Sequence, residues 1–163
     1  MLKALFAGSF DPVHLGHIDI IRRASACFDE VVVAVTVNLA KRNMFSVDER
    51  LEMLEEVCRD LPNVTIDRID GLRSEYIGRN GINVDLRSIR NETDLDYEMP
   101  VQQMFAEMGF GAETLVMFTP PRLSYISSNQ IRQVYSLGGD VSAMVDARTL
   151  AYMDKKLSQT TRL

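Results

Sequence analysis

Residues 5–17 read LFAGSFDPVHLGH. They hold both histidines of a 163-residue chain, His14 and His17, three positions apart with Gly16 between them. An apolar run from Leu2 to Ala7 stops at Gly8, which is the pattern of a short buried strand. After the turn, Ile18, Ile21, Ala24 and Phe28 recur near helical spacing. The stretch is therefore strand, turn, helix. Gly8 lets the backbone approach a ligand closely, Ser9 offers a hydroxyl and an N–H, and Pro12 sets the turn. Gly16 and His17 open the helix, where free N–H groups and the positive dipole end favour phosphate. Two imidazoles there can donate to phosphate oxygens. A capped helix with two incidental histidines is one competing reading. A zinc site is another, but it lacks further His or Cys ligands nearby. Neither a Walker loop nor a GxGxxG fingerprint occurs in the chain. Motif and context together favour phosphate chemistry.

Outward from this stretch, strands and helices alternate. EVVVAVTV, from Glu30, is a strand buried on both faces. NLAKRNMF reads as a loop. Ser46 followed by Glu49 makes a capping box, so a helix starts there and ends at Pro62 and Asn63. NVTIDRI is a third strand, GLRSEYIGRNG a short helix closed by Gly81, and INVDL a fourth strand. RSIRNETDLD reads as a polar loop. Tyr97–Met108 reads as a helix with Pro100 near its start, where proline is tolerated. Glu113–Phe118 is a fifth strand and PPRLSY a loop. SSNQIRQVYSLGG is a helix entered by serine and left by glycine, and Val145–Leu157 a last helix. With no linker, repeat or low-complexity tract, residues 1–163 are expected to form one domain. The alternation predicts an α/β, Rossmann-like, doubly wound parallel sheet of five strands with helices on both faces. Such sheets bind ligands outside the carboxyl ends of their strands, near the switch point. The segments to inspect are Gly8–His17, Asn38–Phe45, Arg87–Asp96 and Pro120–Asn129. Arg87 and Arg90 stand at such a strand end, which favours anion binding over a surface salt bridge. Lys41 alone reads as a solvated lysine.

Apolar residues make up 46% of the chain and charged residues 25%, as in ordinary globular proteins. A net charge of −5 argues against bulk nucleic-acid binding, while leaving room for a local basic cluster around a small anion. No apolar run is long enough to span a bilayer, and the N-terminal apolar segment is too short for a signal peptide. The expected location is the cytoplasm, with neither membrane nor nucleic acid as partner. Cys27 and Cys58 lack metal-like spacing and read as small buried hydrophobes.

GSFDPVHLGH resembles the signature of the HxGH nucleotidyltransferase superfamily. KRNMFSVDER, DLDYE, SYISS and GGDVS stand at the spacing found in the phosphopantetheine adenylyltransferase family, and the resemblance runs from Leu2 to Leu157. It implies adenylyl transfer from ATP, with Mg2+, to 4′-phosphopantetheine, giving dephospho-coenzyme A and pyrophosphate. The acceptor phosphate itself would attack, so no activated Ser or Cys is needed. By resemblance, the catalytic residues would be His17, Lys41 and Arg90. Ser9, Lys41, Arg73 and Arg87 would hold the acceptor. The nucleotide would meet Ser9, Phe10, His14, His17, Ser88, Ile89, Arg90, Glu98, Leu123, Ser124, Tyr125, Ile126, Ser127, Ser128 and Asn129, with no protein metal ligand. The family also implies a hexamer of two stacked trimers.

The chain departs from the family in several places. Ser88 stands for the glycine between the two arginines, and Asp85 interrupts an apolar strand. A buried carboxylate there needs a partner, which Arg87, Arg90 or Arg73 could supply. Arg73 replaces an apolar residue against the pantetheine arm and could prefer an acceptor with an extra anionic group. Phe105 replaces asparagine, Asn129 a serine, Gln133 a glutamate, and His14 a frequent threonine. ISSNQIR is similar to the ISSTxIR motif of nicotinate and nicotinamide mononucleotide adenylyltransferases. The short chain and the absence of tryptophan speak against those enzymes. A related enzyme with another phosphate acceptor, such as nicotinate mononucleotide, and a non-catalytic nucleotide-binding homologue are the alternatives.

Overall fold

The sequence EVVVAVT pairs on both edges and is covered on both faces, and the sheet grows from it. In the computed structural model, which describes residues 1–37, 43–107 and 111–160, this segment is β2 (Glu30–Thr36). Its neighbours are β1 (Lys3–Gly8) and β3 (Val64–Ile69), both parallel to it. The chain then passes to the other side of β1 and lays down β4 (Val84–Ile89) and β5 (Glu113–Phe118), giving the order β3-β2-β1-β4-β5. The switch point lies between β1 and β4. These two pair only at Ala4–Val84 and Leu5–Asp85, whereas β1 and β2 pair over six residues, from Lys3–Glu30 to Gly8–Val35. The short β1–β4 ladder leaves a crevice at their carboxyl ends, where such folds bind ligands.

Period-two alternation gives the sheet its two faces. Ala4, Phe6, Val31, Val33, Val84 and Leu86 pack with α1 (Leu15–Cys27), α2 (Val47–Cys58), α5 (Ser128–Ser136) and α6 (Ala147–Thr160). Leu5, Ala7, Val32 and Ala34 pack with Tyr76 and Ile77 of α3 (Arg73–Arg79). The capping box forms: Ser46 Oγ accepts from Glu49 N at 3.2 Å, and Glu49 Oε2 accepts from Ser46 N at 2.7 Å. Edge strand β5 leaves Leu115, Val116 and Phe118 exposed.

Four local expectations differ from the structure. Arg87, Ser88 and Ile89 are strand rather than loop, because the ladder to β5 continues through Ile89–Phe118. Helix α4 (Glu92–Glu107) begins five residues before Tyr97. Asn91 Oδ1 accepts from Asp94 N at 3.0 Å, and Glu92 and Asp94 suit the positive helix end, so the polar run is a helix start. Pro100 therefore lies inside α4, which buries none of its residues. The segment Pro121–Leu123 is a 3-10 turn. Cys27 is exposed at the end of α1, while Cys58 is buried and its thiol is pushed up to about 11 by that burial. The expected loop residues 38–42, Lys41 among them, and the expected helix end Met108 lie outside the described residues. Among the described residues no helix is long and apolar enough to cross a membrane.

Candidate active site

The two histidines cap their own helix. His14 is the N-cap of α1 and His17 its third residue. Nδ1 of His14 accepts from His17 N at 3.3 Å, and Nδ1 of His17 accepts from His14 N at 3.3 Å. Imidazoles thus fill both halves of a capping box usually built from Ser or Thr with Glu or Gln. The rings stack with centroids 3.6 Å apart and planes 19° apart. Because each Nδ1 accepts, each proton resides on Nε2, and each ring keeps one N–H donor. Burial, then the Arg90 charge, takes His14 down to about 3. Burial, then the nearby His14 and Arg90, holds His17 well below its usual value. Both are neutral donors at pH 7.

Glycine at position 16 makes this possible. A Cβ there would stand 3.0 Å from His14 Cε1 and 3.1 Å from its Nδ1. Gly8 acts similarly: a Cβ would meet the Phe10 ring at 3.1 Å, so the space above Gly8 is filled by Phe10. Phe10 is buried at φ +47°, a region costly for a bulky residue and common at functional sites. Its ring meets His17 edge-on at 4.9 Å. After it comes a cis Asp11–Pro12 bond. The buried Asp11 carboxylate accepts from Met44 N and Phe45 N, each at 2.9 Å, and lies 3.4 Å from Arg132. Buried Arg50 donates to Ser9 O at 2.8 Å and to Ser46 O at 3.2 Å. The turn is thereby tied to α2 and α5.

On the β4 side, α4 supplies two carboxylates one turn apart, each gripping an arginine. Glu98 takes Arg87 at 3.0 and 2.6 Å. Asp94 takes Arg90 at 2.8 and 2.9 Å. Hydrogen bonds from the arginines hold both carboxyls below their usual range, in each case against burial. At the mouth of α5, Ser127 Oγ accepts from Gln130 N at 3.2 Å, and Ser128 Oγ donates to Pro12 O at 2.9 Å.

Between these elements lies a cavity of about 800 Å³. Of the residues expected from the sequence, Ser9, Phe10, His14, His17, Ser88, Arg90, Glu98, Ser127, Ser128 and Asn129 line it. Arg87 stands behind Glu98, with Nη1 3.5 Å from Ala7 O. Ile89 and Ile126 are buried core residues, though Ile126 O accepts from Arg90 at 3.1 Å. Tyr125 is exposed, and Ser124 Oγ donates to Pro121 O. The carbonyl of Leu123 lies 3.9 Å from the Cβ position of Gly16. Arg73 is outside this group. Of the three partners open to Asp85, Arg73 is the one that pairs, with Nη2 at 3.2 Å and its Cζ 4.6 Å from the Phe105 ring centroid. Burial raises the Asp85 carboxyl, against the pull of Arg73 and Arg87. Asp11, Asn43, Thr93, Asp94, Tyr97 and Arg132 also line the cavity; the first four fall in segments marked for ligand binding, and none was singled out as a site residue. Arg132 could have been found, since it ends the SSNQIR run; Asp94 lay inside the Arg87–Asp96 segment, but only the start of α4 at Glu92 places it one turn before Glu98.

A cytidylyltransferase-like family model matches residues 5–134. A phosphopantetheine adenylyltransferase from a Nocardioides species is 46% identical over 89% of this chain and 91% of its own. This chain belongs to the phosphopantetheine adenylyltransferase family. A second member, from Thermobifida fusca, is 43% identical over 89% of this chain and 88% of its own. A crystal structure of a provisionally named nicotinate-nucleotide adenylyltransferase from Vibrio parahaemolyticus superposes with a TM-score of 0.69. It covers 96% of this chain and 99% of its own at 20% identity, a likeness of fold. The reciprocal cap of His14 and His17 falls within the residues that the family model matches.

Proposed function

We propose that the switch-point cavity binds ATP beside 4′-phosphopantetheine and transfers the adenylyl group by in-line attack. A phosphate oxygen of the acceptor bonds to the α-phosphorus while the bond to the bridging β-phosphate oxygen breaks. Dephospho-coenzyme A and pyrophosphate result. The observation that carries this reading is the pair of neutral, stacked imidazoles with Nε2 donors at a helix N-terminus, in a chain of this family. No side chain becomes a nucleophile, so the residues act by positioning and by hydrogen bonding to developing charge. His17 and Arg90 serve the α-phosphate and triphosphate. Ser9, Lys41 and Arg87 serve the acceptor phosphate, and the cavity lining with Leu123–Asn129 the nucleotide.

Two observations refine the substrates. Among the described residues, the charged cavity lining is Asp11, Asp94 and Glu98 against Arg90 and Arg132, so it offers no excess of positive charge to a triphosphate. That balance fits Mg2+ arriving on ATP as part of the substrate, where it offsets the triphosphate charge. The Arg73 charge is answered internally by Asp85, which supports an acceptor whose arm is uncharged over one with a second anionic group.

The expected hexamer and cytoplasmic location belong to the same proposal. The exposed Leu115, Val116 and Phe118 of β5 and Tyr97, Met99 and Met104 of α4 supply apolar surface for subunit contacts. Light scattering after size exclusion tests it; a monomer would refute it. The reaction is tested by pyrophosphate release from MgATP with 4′-phosphopantetheine, nicotinate mononucleotide or glycerol 3-phosphate, and with CTP as donor. Turnover confined to ATP and 4′-phosphopantetheine is expected. Activity with another acceptor would reassign the pocket. Silence with all of them in a folded, ATP-binding protein would mark a non-catalytic homologue.

A further inference from the structure

Arg90 has five N–H donors, and three are committed before any ligand arrives. Nε and Nη2 donate to the Asp94 carboxylate at 2.8 and 2.9 Å, and Nη1 donates to Ile126 O at 3.1 Å. Asp94 Oδ2 also accepts from the backbone N of Arg90 at 3.0 Å. Both Asp94 oxygens are therefore occupied by one residue. The guanidinium is fixed between α4 and the segment leading to α5, with one N–H left on each of Nη1 and Nη2. Those two donors remain available to phosphate oxygens.

We infer that Asp94 is a positioning residue for phosphate binding: it braces the Arg90 guanidinium so that its free donors face the cavity. This rests on the reading of the cavity as a triphosphate site. The inference is chemically pointed because it opposes simple electrostatics. Asp94 lines the cavity, so removing its charge should by Coulomb's law alone tighten the binding of a polyanion. If its role is to aim Arg90, removal weakens binding instead.

The test is a double-mutant cycle with Asp94→Asn and Arg90→Ala, read by calorimetric binding of inorganic tripolyphosphate and by kcat and KM for MgATP. The expected result for D94N is roughly 10-fold weaker tripolyphosphate binding and a kcat about 30-fold lower, which is about 2 kcal/mol of barrier. In the Arg90→Ala background, D94N adds no further loss, because the residue it aims is gone. Unchanged or tighter tripolyphosphate binding by D94N would overturn the inference, as would equal losses in both backgrounds. Asp94→Glu keeps the charge but displaces the guanidinium by one methylene, and keeps the test decisive should D94N fail to fold. A comparable fall in binding supports the brace, and wild-type affinity overturns it. Tripolyphosphate binding separates this inference from the proposed reaction. Absent turnover with coupled binding would refute the reaction and retain the brace.

Discussion

Acidification from pH 7.5 to 5.5 should destabilise this protein through its two histidines. His14 has an unfolded value of 6.5 and a folded value of about 3, set by burial and then by Arg90. A base whose folded pKa is depressed contributes stability that is fully present above the unfolded value and lost as pH falls below it. The unfolded chain binds a proton that the folded chain refuses. Over this range His14 alone costs about 1.4 kcal/mol, and His17, depressed for the same reason, adds to it with the same sign. For a chain of this size, the His14 share corresponds to a fall in Tm of about 3–6 °C. The control is the double variant His14→Asn/His17→Gln, which retains an N-cap acceptor and an N3 side chain able to reach back but cannot titrate. Urea unfolding followed by circular dichroism at pH 7.5, 6.5 and 5.5 gives the slope for each protein. The wild type should lose stability more steeply, and an NMR titration should show neither imidazole protonating near pH 6.5. Equal slopes in the two proteins, or a histidine titrating at its ordinary value, would refute the account of the reciprocal cap.

Replacing His17 by alanine should lower kcat about 100- to 1,000-fold, the usual effect of losing one donor to developing charge, while ATP affinity measured by calorimetry changes by less than about 10-fold. Replacing Gly16 by alanine sets a Cβ against the His14 ring at 3.0 Å. Crowding of about 1–3 kcal/mol is partly offset by the better helix propensity of alanine, about 1 kcal/mol, so Tm should fall by no more than about 8 °C. Turnover should still fall about 10-fold or more as the His14–His17 stack is displaced, and unchanged pyrophosphate release would show that the stacked geometry is dispensable.

Much of the site was legible because it is local. Gly8, His14, Gly16 and His17 lie within ten residues, and strand–turn–helix geometry brings them together without help from the rest of the chain. The reason for each glycine was not legible. Gly8 was expected to admit a ligand, yet the space over it holds the Phe10 ring, and Gly16 clears room for His14. The Arg87–Asp96 segment was misread for a related reason. Polar residues hide a helix whose first turns bury nothing and whose attachment is ionic, through Asp94 and Glu98. Hydrophobic periodicity cannot report such a helix.

The sequence by itself determined the strand–helix alternation, the parallel sheet, and the strand–turn–helix course that carries both histidines, since these follow from patterns within a few turns of chain. Tertiary structure alone decided who partners whom across the sheet. It set Asp85 against Arg73 rather than Arg87 or Arg90, Asp11 against the 44–45 backbone and Arg132, and the Ile126 carbonyl against Arg90. Charges in a buried site take whichever counter-charge the packing brings within about 3 Å, and that distance depends on strand order and helix placement.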